Sequence, residues 1–325
     1  MQRLTFVVRE VRQESSLIRS IRMVLASGEP LPAFGPGAHV KVQVPGLDEP
    51  RCYSLVQTDP HAGAFAAPAE YRLGVRLDDA GGGGSRYMHA LKVGDTLEAV
   101  GPKNDFVLHE APADEPASIL IAGGIGITPL ASMSAALTAA GRAYAFHYCG
   151  RSREQLAFRD ELAALAGDAL HEHPDDDASC AFDLNAILDA ASPHQHLYVC
   201  GPKGLIDAVI AAAHARHWPD AHVHLELFSA PAPLAGDQPF EVELRDSGMV
   251  LTVPADRTIV DVMEDAGCDP MVDCKRGECG VCQADVIEGI PDHRDYYLSD
   301  TEKASGKVIQ ICISRAKSAR LVLAL

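Results

Sequence analysis

Four cysteines near the end of the chain constrain its fold more than any other feature. Three follow a C-x4-C-x2-C pattern and the fourth comes after 29 intervening residues: Cys274, Cys279, Cys282 and Cys312. This is the spacing of plant-type [2Fe–2S] ligands, and we expect three from one loop and the fourth from a distant strand. Gly277 and Gly280 lack a Cβ, so backbone N–H groups can approach the sulfurs. The pattern predicts a plant-type ferredoxin module.

A structural zinc site is the alternative for these four cysteines. Zinc ligands usually combine one C-x2-C pair with a second such pair or with two histidines. No second close pair follows here, so the spacing favours the cluster. The chain has nine cysteines, and an odd number without a secretory start argues against a disulfide framework.

Length and charge limit the classes of protein that this chain can belong to. Its 325 residues predict two or three domains. The net charge of −17 disfavours nucleic-acid binding, which needs clustered Lys and Arg. No apolar run approaches the roughly 20 residues of a membrane span, and the start lacks the features of a signal peptide. We expect a cytoplasmic protein that binds neither nucleic acid nor membranes.

Residues 1–110 have the pattern of short antiparallel strands. Apolar or β-branched residues alternate at Leu4–Val8, Ile18–Leu25 and His39–Val44, with Pro and Gly clusters between them. This spacing predicts a closed or nearly closed antiparallel β-barrel domain. Glu110–Pro116 has the composition of a linker.

Strands and helices alternate from residue 115 to 228. We predict strands at Ser118–Ala122, Tyr144–Tyr148 and His196–Cys200, and helices at Glu154–Ala166 and Leu205–His214. Such alternation predicts an α/β domain whose parallel sheet is covered on both faces.

A Pro- and Ala-rich linker at residues 229–238 leads to a third domain, residues 239–325. Phe240–Leu244 and Met249–Val253 read as a strand hairpin, and Ile259–Ala266 reads as a helix before the cysteine loop. Together with the cluster spacing, this predicts an α+β domain of the β-grasp type.

A glycine loop joins the first strand of the α/β domain to its helix. In Ala122-Gly-Gly-Ile-Gly-Ile-Thr-Pro129, we expect Thr128 to be the N-cap and Pro129 the first helical residue. Glycines before a helix let a pyrophosphate approach backbone N–H groups at its positive end. A tight glycine turn is the simpler reading, but the position after a buried strand favours a nucleotide site.

Two further motifs lie in the barrel region. Arg51-Cys-Tyr-Ser-Leu55 could stack on a flavin and hold a phosphate, although alone it reads as an ordinary strand with an exposed Arg. Gly81–Gly84 reads as a flexible linker, yet it lies between a strand-like segment and a helical turn. We expect Ser85 to cap that turn, which makes a second phosphate cradle and implies two nucleotide cofactors.

Tyr198-Val-Cys-Gly-Pro202 ends a predicted parallel strand, at the edge where open α/β sheets bind ligands. Cys200 is either a core cysteine or a residue of that site. Four histidines have no convincing set of partner ligands and are expected at the surface: His171, His173, His222 and His224.

Taken together, RCYSL, GGGGS, GGIGITP, YVCGP and the cysteine pattern resemble the phthalate dioxygenase reductase family over nearly the whole chain. Related reductases of other oxygenase systems carry the ferredoxin at the N-terminus, whereas here it is C-terminal. The resemblance implies a barrel that binds FMN, a nucleotide domain that binds NADH and a C-terminal [2Fe–2S] ferredoxin.

The same resemblance assigns flavin contacts to six residues: Arg51, Tyr53, Ser54, Gly83, Gly84 and Ser85. It places Tyr53 against the flavin ring and Ser54 near the reactive edge, with the last three at the phosphate. The run Gly81–Gly84 departs somewhat from the glycine pattern of the family.

For the nicotinamide coenzyme, the resemblance assigns the dinucleotide site to Gly124, Gly126 and Thr128. It puts Cys200 near the nicotinamide, which makes Ser54 and Cys200 the catalytic pair, and has Phe228 shield the flavin. It also makes the four spaced cysteines the cluster ligands. Ser152 and Arg153 could instead accept the 2′-phosphate of NADPH, so the preference for NADH rests on the resemblance.

The implied function is that of the reductase component of a Rieske non-haem iron oxygenase. NADH delivers a hydride to FMN, which releases electrons singly to the cluster. A plant-type cluster near about −400 mV can reduce a Rieske centre between about −150 and +300 mV. A reductase for a cytochrome P450 or a separate ferredoxin is the alternative. We expect a monomer.

Overall fold

The computed structural model describes residues 3–61, 63–109, 117–229 and 233–325. The chain divides into two compact units, Met1–Glu226 and Leu227–Leu325. The predicted linker Glu110–Pro116 lies outside the described residues, and so do residues 230–232 of the predicted linker 229–238.

The first unit begins with a six-stranded antiparallel sheet in the order β4-β3-β6-β1-β2-β5. Its elements are β1 Arg3–Gln13, β2 Ile18–Leu25, β3 His39–Gln43, β4 Arg51–Ser54, α1 Gly63–Ala66, β5 Tyr71–Arg76, α2 Gly84–Ala90 and β6 Thr96–Lys103. The sheet curls until its two edges meet, because Leu55 forms a bridge with Leu73 and the N–H of Val56 donates to the Arg72 carbonyl at 2.8 Å. The predicted barrel is confirmed.

Alternation of side chains explains how the barrel encloses a core. Along β2, Ile21, Met23 and Leu25 are buried, with partly exposed residues between them. Period-two burial puts one face of each strand inside the barrel. Phe6 and Tyr71 fill the same core with ring centroids 5.7 Å apart.

A five-stranded parallel sheet follows in the same unit, in the order β11-β10-β7-β8-β9. Its elements are β7 Ser118–Gly123, α3 Ile127–Ala139, β8 Tyr144–Gly150, α4 Arg159–Ala166, β9 Leu170–Pro174, α5 Leu184–Asp189, β10 Leu197–Cys200, α6 Lys203–His214 and β11 Val223–Glu226. The α/β prediction is confirmed. The strand order reverses between β7 and β10, and open parallel sheets bind ligands at such a switch point.

Two helix starts differ from the sequence predictions. The helix expected from Glu154 begins only at Arg159, because Phe158 takes a left-handed conformation with φ 60°. In the glycine loop, Gly124–Gly126 form a 3-10 turn and Gly126 is the N-cap of α3. Thr128 is therefore the second helical residue and not the N-cap.

The histidines expected at the surface are only partly there. His171 is exposed, but His173, His222 and His224 are half-buried. The His147 ring stacks on His171 and His173, and the His196 ring stacks on His222 and His224. His171 and His173 alternate in β9, and His222 and His224 alternate at the start of β11, so these rings meet those of the neighbouring strands.

The second unit is built on a five-stranded mixed sheet in the order β13-β12-β18-β14-β16, with a separate two-stranded sheet β15-β17. Its elements are β12 Phe240–Leu244, β13 Met249–Val253, α7 Ile259–Asp265, β14 Gln283–Glu288, β15 Pro291–Asp292, α8 Asp300–Ser305, β16 Val308–Gln310, β17 Arg315–Ala316 and β18 Arg320–Leu323. Parallel pairing of β12 with β18 and antiparallel pairing of β12 with β13 give the predicted α+β fold.

The local sequence explains α7, the first helix of this unit. Thr258 and Asp261 form a reciprocal capping box, and Ile259, Val260 and Met263 of α7 pack into the core. Cys312 lies in a turn after β16 and not in a strand, which corrects the expectation for the fourth cluster ligand. In the described parts of the chain, we find no helix of the length and apolarity that a membrane crossing requires.

Candidate functional site

The two barrel motifs converge in space. A Cβ at Gly84 would lie 2.9 Å from Cγ of Arg51 and 3.4 Å from the hydroxyl of Tyr53. A Cβ at Gly82 would lie 3.5 Å from a guanidinium nitrogen of Arg51. Strand β4 and the glycine loop therefore form one cradle, in which the approach of Arg51 leaves no room for a Cβ at Gly84.

The residues of this cradle fit a flavin mononucleotide. Burial raises the pKa of Tyr53 to about 12, so its ring is a neutral, flat surface at physiological pH. Arg51 supplies a guanidinium for a phosphate, and Gly83 exposes backbone at φ 98°. A cradle of aromatic ring, cation and bare backbone suits an aromatic group that carries a phosphate.

Ser85 does not have the capping role that the sequence predicted. Gly83 is the N-cap of α2, and Ser85 lies inside the helix. Its hydroxyl accepts a hydrogen bond from the Asp78 N–H at 3.0 Å and donates to the Asp78 carbonyl at 3.2 Å. Ser85 thus ties the ends of the glycine loop together.

Ser54 and Cys200 each lie at the end of a strand, and Glu226 is next to both residues. The hydroxyl of Ser54 donates to the carboxylate of Glu226 at 3.5 Å, and Cys200 pairs with Glu226 in the register of β10 and β11. All three residues are buried. Sequence reasoning missed Glu226, although its position at the end of a parallel strand, two residues before Phe228, was a usable signal.

The α/β glycine loop packs tightly on the end of β10. A Cβ at Gly126 would overlap the carbonyl of Cys200, and one at Gly123 would lie 2.6 Å from Cδ of Pro202. Gly124 has φ 55°, in the left-handed region that favours glycine. The three glycines bring the start of α3 to the switch point of the sheet, where a pyrophosphate can meet backbone N–H groups.

Thr128 holds this loop from inside. It is 1% exposed, and its hydroxyl donates to the carbonyl of Ile125 at 3.0 Å. A Cβ at Gly74, on barrel strand β5, would lie 2.6 Å from Cγ2 of Thr128. The barrel and the start of α3 are therefore in close contact within the first unit.

Ser132 fixes the end of the flavin strand to the same helix. Its hydroxyl donates to the carbonyl of Leu55 at 2.6 Å and accepts from the N–H of Gln57 at 2.9 Å. Leu55 directly follows β4 and Gln57 lies two residues further on, so a side chain inside α3 holds the end of the strand that contains Tyr53 and Ser54.

The four spaced cysteines come together in the second unit. The thiols of Cys279 and Cys312 donate to the sulfur of Cys274, and the backbone N–H of Arg276 approaches that sulfur at 3.3 Å. These hydrogen bonds lower the pKa of Cys274 and favour the thiolate, the form that binds iron. The donor set of four converging thiols fits a [2Fe–2S] cluster.

The glycines of the cluster loop are required by close approach and by conformation. Gly277 has φ 78°, and its Cβ would lie 2.6 Å from Cγ2 of Ile313. Gly280 has φ 76°, and its Cβ would overlap the ring of Tyr297. Phe228, which the resemblance assigns to flavin shielding, is 40% exposed.

Two family models match the chain. Residues 242–317 match the 2Fe-2S iron-sulfur cluster binding domain, and residues 120–210 match the oxidoreductase NAD-binding domain. Fold and site together define an NAD-dependent iron–sulfur oxidoreductase that transfers electrons.

Relatives and solved structures identify the family. The chain is 39% identical over 321 residues to the vanillate O-demethylase oxidoreductase of Pseudomonas sp. (strain HR199 / DSM 7063), covering 98% of each chain. It is similar to the solved structure of phthalate dioxygenase reductase, with 36% identity, TM-score 0.69, and coverage of 99% of this chain and 98% of that one. It is also similar to the solved structure of an intact type IV self-sufficient cytochrome P450 monooxygenase, with 36% identity and TM-score 0.74. That match covers 99% of this chain and 41% of the other.

The chain belongs to the phthalate dioxygenase reductase family. The predicted function as the reductase component of an oxygenase system is confirmed, as are the fold classes and the cofactor set of FMN, NAD and a [2Fe–2S] cluster.

Proposed function

We propose that this chain moves electrons from NADH to a Rieske-type oxygenase by way of the barrel site and the four-cysteine module. The observation that carries the proposal is the convergence of Ser54, Cys200 and Glu226 at the carboxyl ends of β10 and β11. Ser54 ends the same strand, β4, that supplies Arg51 and Tyr53 to the cradle. When bound, the cofactors supply hydride acceptance and release of single electrons.

Each residue of the first unit has a definite task in this proposal. Tyr53 packs on the flavin ring, and Arg51 with the backbone of Gly83 and Gly84 neutralises and holds the phosphate. The Ser54 hydroxyl donates to the Glu226 carboxylate, so that carboxylate is an acceptor for a proton at the Ser54 oxygen.

The nucleotide side of the site binds and orients the coenzyme. Backbone N–H groups at Gly124 and Gly126 hold the pyrophosphate, with Thr128 keeping the loop in shape from below. Cys200, fully buried at the end of β10, lines the place where the nicotinamide meets the flavin. The shielding of the flavin by Phe228 stays a prediction of the family resemblance.

Charges near Arg153 support NADH over NADPH. The guanidinium of Arg153 lies 3.4 Å from a carboxylate oxygen of Asp177 and 3.8 Å from one of Glu172. A 2′-phosphate at Arg153 would therefore face two carboxylates, which repel it. The comparison of kcat/KM for NADH and NADPH tests this preference, and we expect NADH to be favoured at least about 100-fold.

In the second unit, Cys274, Cys279, Cys282 and Cys312 bind the two irons. A plant-type cluster near about −400 mV has enough driving force for a Rieske centre at about −150 to +300 mV. We also propose that the chain acts as a cytoplasmic monomer.

Anaerobic titration with NADH tests the electron path. Flavin absorbance should bleach first and cluster absorbance next, with each NADH supplying two electrons. Bleaching of the flavin with a cluster that stays oxidised would refute the path.

A haem oxygenase is the second candidate acceptor, because a self-sufficient cytochrome P450 contains a region 36% identical to 99% of this chain. Reconstitution with a purified Rieske oxygenase and with a purified P450, at equal concentrations, separates the two. We expect substrate turnover coupled to NADH with the Rieske protein.

A further inference from the structure

One fully buried hydroxyl beside the glycine loop of the parallel sheet is not used by the proposed function. It belongs to Tyr148, on strand β8 next to β7, and the residue is 0% exposed. Phe146, on the same face of β8, is equally buried in the same core. A second phenylalanine would therefore meet the packing need at position 148. The hydroxyl requires another explanation, because burying one is costly unless it is hydrogen-bonded.

The Tyr148 hydroxyl makes two hydrogen bonds to backbone groups. It donates to the carbonyl of Gly124 at 3.3 Å and accepts from the N–H of Ala157 at 3.0 Å. Burial raises the pKa of Tyr148, so the hydroxyl keeps the proton that it donates. Gly124 lies in the loop after β7 and Ala157 in the segment after β8, so one side chain joins two neighbouring loops.

The two joined loops lie where an open parallel sheet binds a dinucleotide. They follow the carboxyl ends of the adjacent parallel strands β7 and β8, at the edge of the sheet that holds ligands. The first loop is the one to which the proposed function assigns the pyrophosphate. The second contains Ser152 and Arg153, which the 2′-position of the adenosine ribose would face in that site. Tyr148 therefore connects the proposed pyrophosphate loop to the proposed ribose loop.

The bond to Gly124 also sets the direction of a backbone N–H. The carbonyl of Gly124, a residue with φ 55°, belongs to the same peptide unit as the N–H of Ile125. A trans peptide is planar, so its C=O and N–H point in opposite directions. The N–H of Ile127 bonds this carbonyl from within the loop, whereas Tyr148 bonds it from the core. The N–H of Ile125 therefore points away from the core, towards the side from which a pyrophosphate can approach the start of α3.

We propose that Tyr148 is a positioning residue for the nicotinamide coenzyme. Its hydroxyl holds the Gly124 peptide in the orientation that presents the N–H of Ile125 to the pyrophosphate. The same hydroxyl keeps the segment at Ala157 against that loop. Tyr148 acts on the coenzyme through these backbone groups. The inference rests on the proposed coenzyme site at the glycine loop and adds a residue to it.

Tyr148→Phe is the direct test, because it removes the hydroxyl and keeps the buried ring. The matched control is Tyr144→Phe on the same face of β8. The Tyr144 hydroxyl lies 2.8 Å from the side-chain oxygens of Ser134 and Thr138, further along α3 than the glycine loop. Stopped-flow reduction of flavin over a range of NADH concentrations gives both the Kd for NADH and the limiting rate for each holoenzyme.

In Tyr148→Phe, we expect the Kd for NADH to rise about five- to tenfold, the effect of one lost hydrogen bond. The limiting rate of flavin reduction should stay within about twofold of the wild type, because the hydroxyl contacts the pyrophosphate loop and not the reacting groups. Tyr144→Phe should leave both quantities within about twofold. A role confined to core packing would leave the Kd of Tyr148→Phe unchanged as well.

A measurement on the wild type does not depend on the folding of any variant. Because Tyr148 joins Ala157 to the glycine loop, saturating ADP-ribose, which contains the pyrophosphate, should slow hydrogen exchange at the amide of Ala157 at least about fivefold. An unchanged Kd in Tyr148→Phe, an equal rise in Tyr144→Phe, or unchanged exchange at Ala157 would overturn the inference. ADP-ribose that leaves the amide of Ile125 unprotected in the wild type would instead refute the proposed coenzyme site, so the two failures are distinguishable.

Discussion

The hydroxyl of Ser54 and the carboxylate of Glu226, 172 residues apart in sequence, form a buried hydrogen bond of 3.5 Å. It joins the end of barrel strand β4 to the end of β11, the edge strand of the parallel sheet. Through it, the proposed flavin strand and the proposed nicotinamide site share one polar contact.

Loss of the Glu226 carboxylate should therefore slow hydride transfer. For Glu226→Gln, we expect stopped-flow reduction of flavin by NADH to slow about 10- to 100-fold, because the Ser54 hydroxyl loses the charged acceptor that orients it. Ser20→Ala is the control, since Ser20 also donates to a glutamate, Glu14, but lies on β2. Equal slowing in both variants would contradict a specific role for Glu226.

The close contact between Gly126 and Cys200 gives a second prediction. A Cβ there would overlap the carbonyl of Cys200, so Gly126→Ala must push the start of α3 away from β10. We expect the Kd for NADH to rise at least about tenfold, measured by titration of the oxidised protein with a non-reducing NADH analogue. Gly204→Ala is the control, because Gly204 in α6 has open space around its Cα. It should bind normally and gain up to about 1 kcal/mol of stability.

Burial, together with the neighbouring histidines, lowers the pKa of His147 and of His224 to about 4. The unfolded chain, with His near 6.5, binds more protons than the folded chain between these values. The contribution of the two neutral histidines to the free energy of unfolding should be fully present above pH 6.5. It should fall as the pH drops towards 4, by at most about 1.4 kcal/mol per pH unit for each group.

Phenylalanine tests this pH dependence because it keeps the ring and cannot be protonated. His147→Phe should flatten the fall in unfolding free energy between pH 6.5 and 5, measured by urea denaturation. A slope that is the same in His147→Phe and the wild type would refute the assignment.

Arg72 stabilises the first unit through a buried ion network. Its guanidinium, 5% exposed, bonds the carboxylate of Glu161 in α4 and that of Glu14, which is 3% exposed. Arg72→Met removes the nearer and buried cation of Glu14 and leaves it only Arg12 at 3.9 Å, so we expect a loss of about 3 kcal/mol in denaturation experiments. Arg3→Met removes a pair of exposed residues at 3.5 Å and should cost less than about 1 kcal/mol.

The same network has a defined acid dependence. Partial burial raises the pKa of Glu161, but hydrogen bonds from Arg72 and Thr58 outweigh it and leave that pKa below the ordinary 4.5. The contribution of Glu161 is therefore present above pH 4.5 and disappears as the pH falls through its lower folded value. The Glu161 contribution is lost at a lower pH than the histidine contribution. A series of unfolding measurements at different pH values therefore separates the two.

Linear patterns predicted the parts of the site that each depend on one segment. The cysteine spacing, the glycine loop after β7 and the Arg51–Ser54 strand are local signals, because turn chemistry and strand period fix them. Glu226 could not be found in that way, since its contact with Ser54 spans 172 residues. Thr128 and Ser85 were misread as caps because glycine, which tolerates the required geometry, takes the N-cap position in both helices.

The cluster itself gives the last prediction. Cys312→Ala removes one of four thiols that contact one another, and three ligands do not complete the plant-type set. We expect loss of the cluster's visible absorbance and at least about a 100-fold fall in electron delivery to a purified oxygenase, because no carrier remains after the flavin. Flavin reduction by NADH should stay within about twofold of the wild type, since its residues lie in the first unit. Cys268→Ala is the matched control: this half-buried cysteine of the same unit lies 4.0 Å from the sulfur of Met249 and outside the ligand pattern. A cluster that survives in Cys312→Ala, or one that disappears in Cys268→Ala, would show that the four ligands are assigned wrongly.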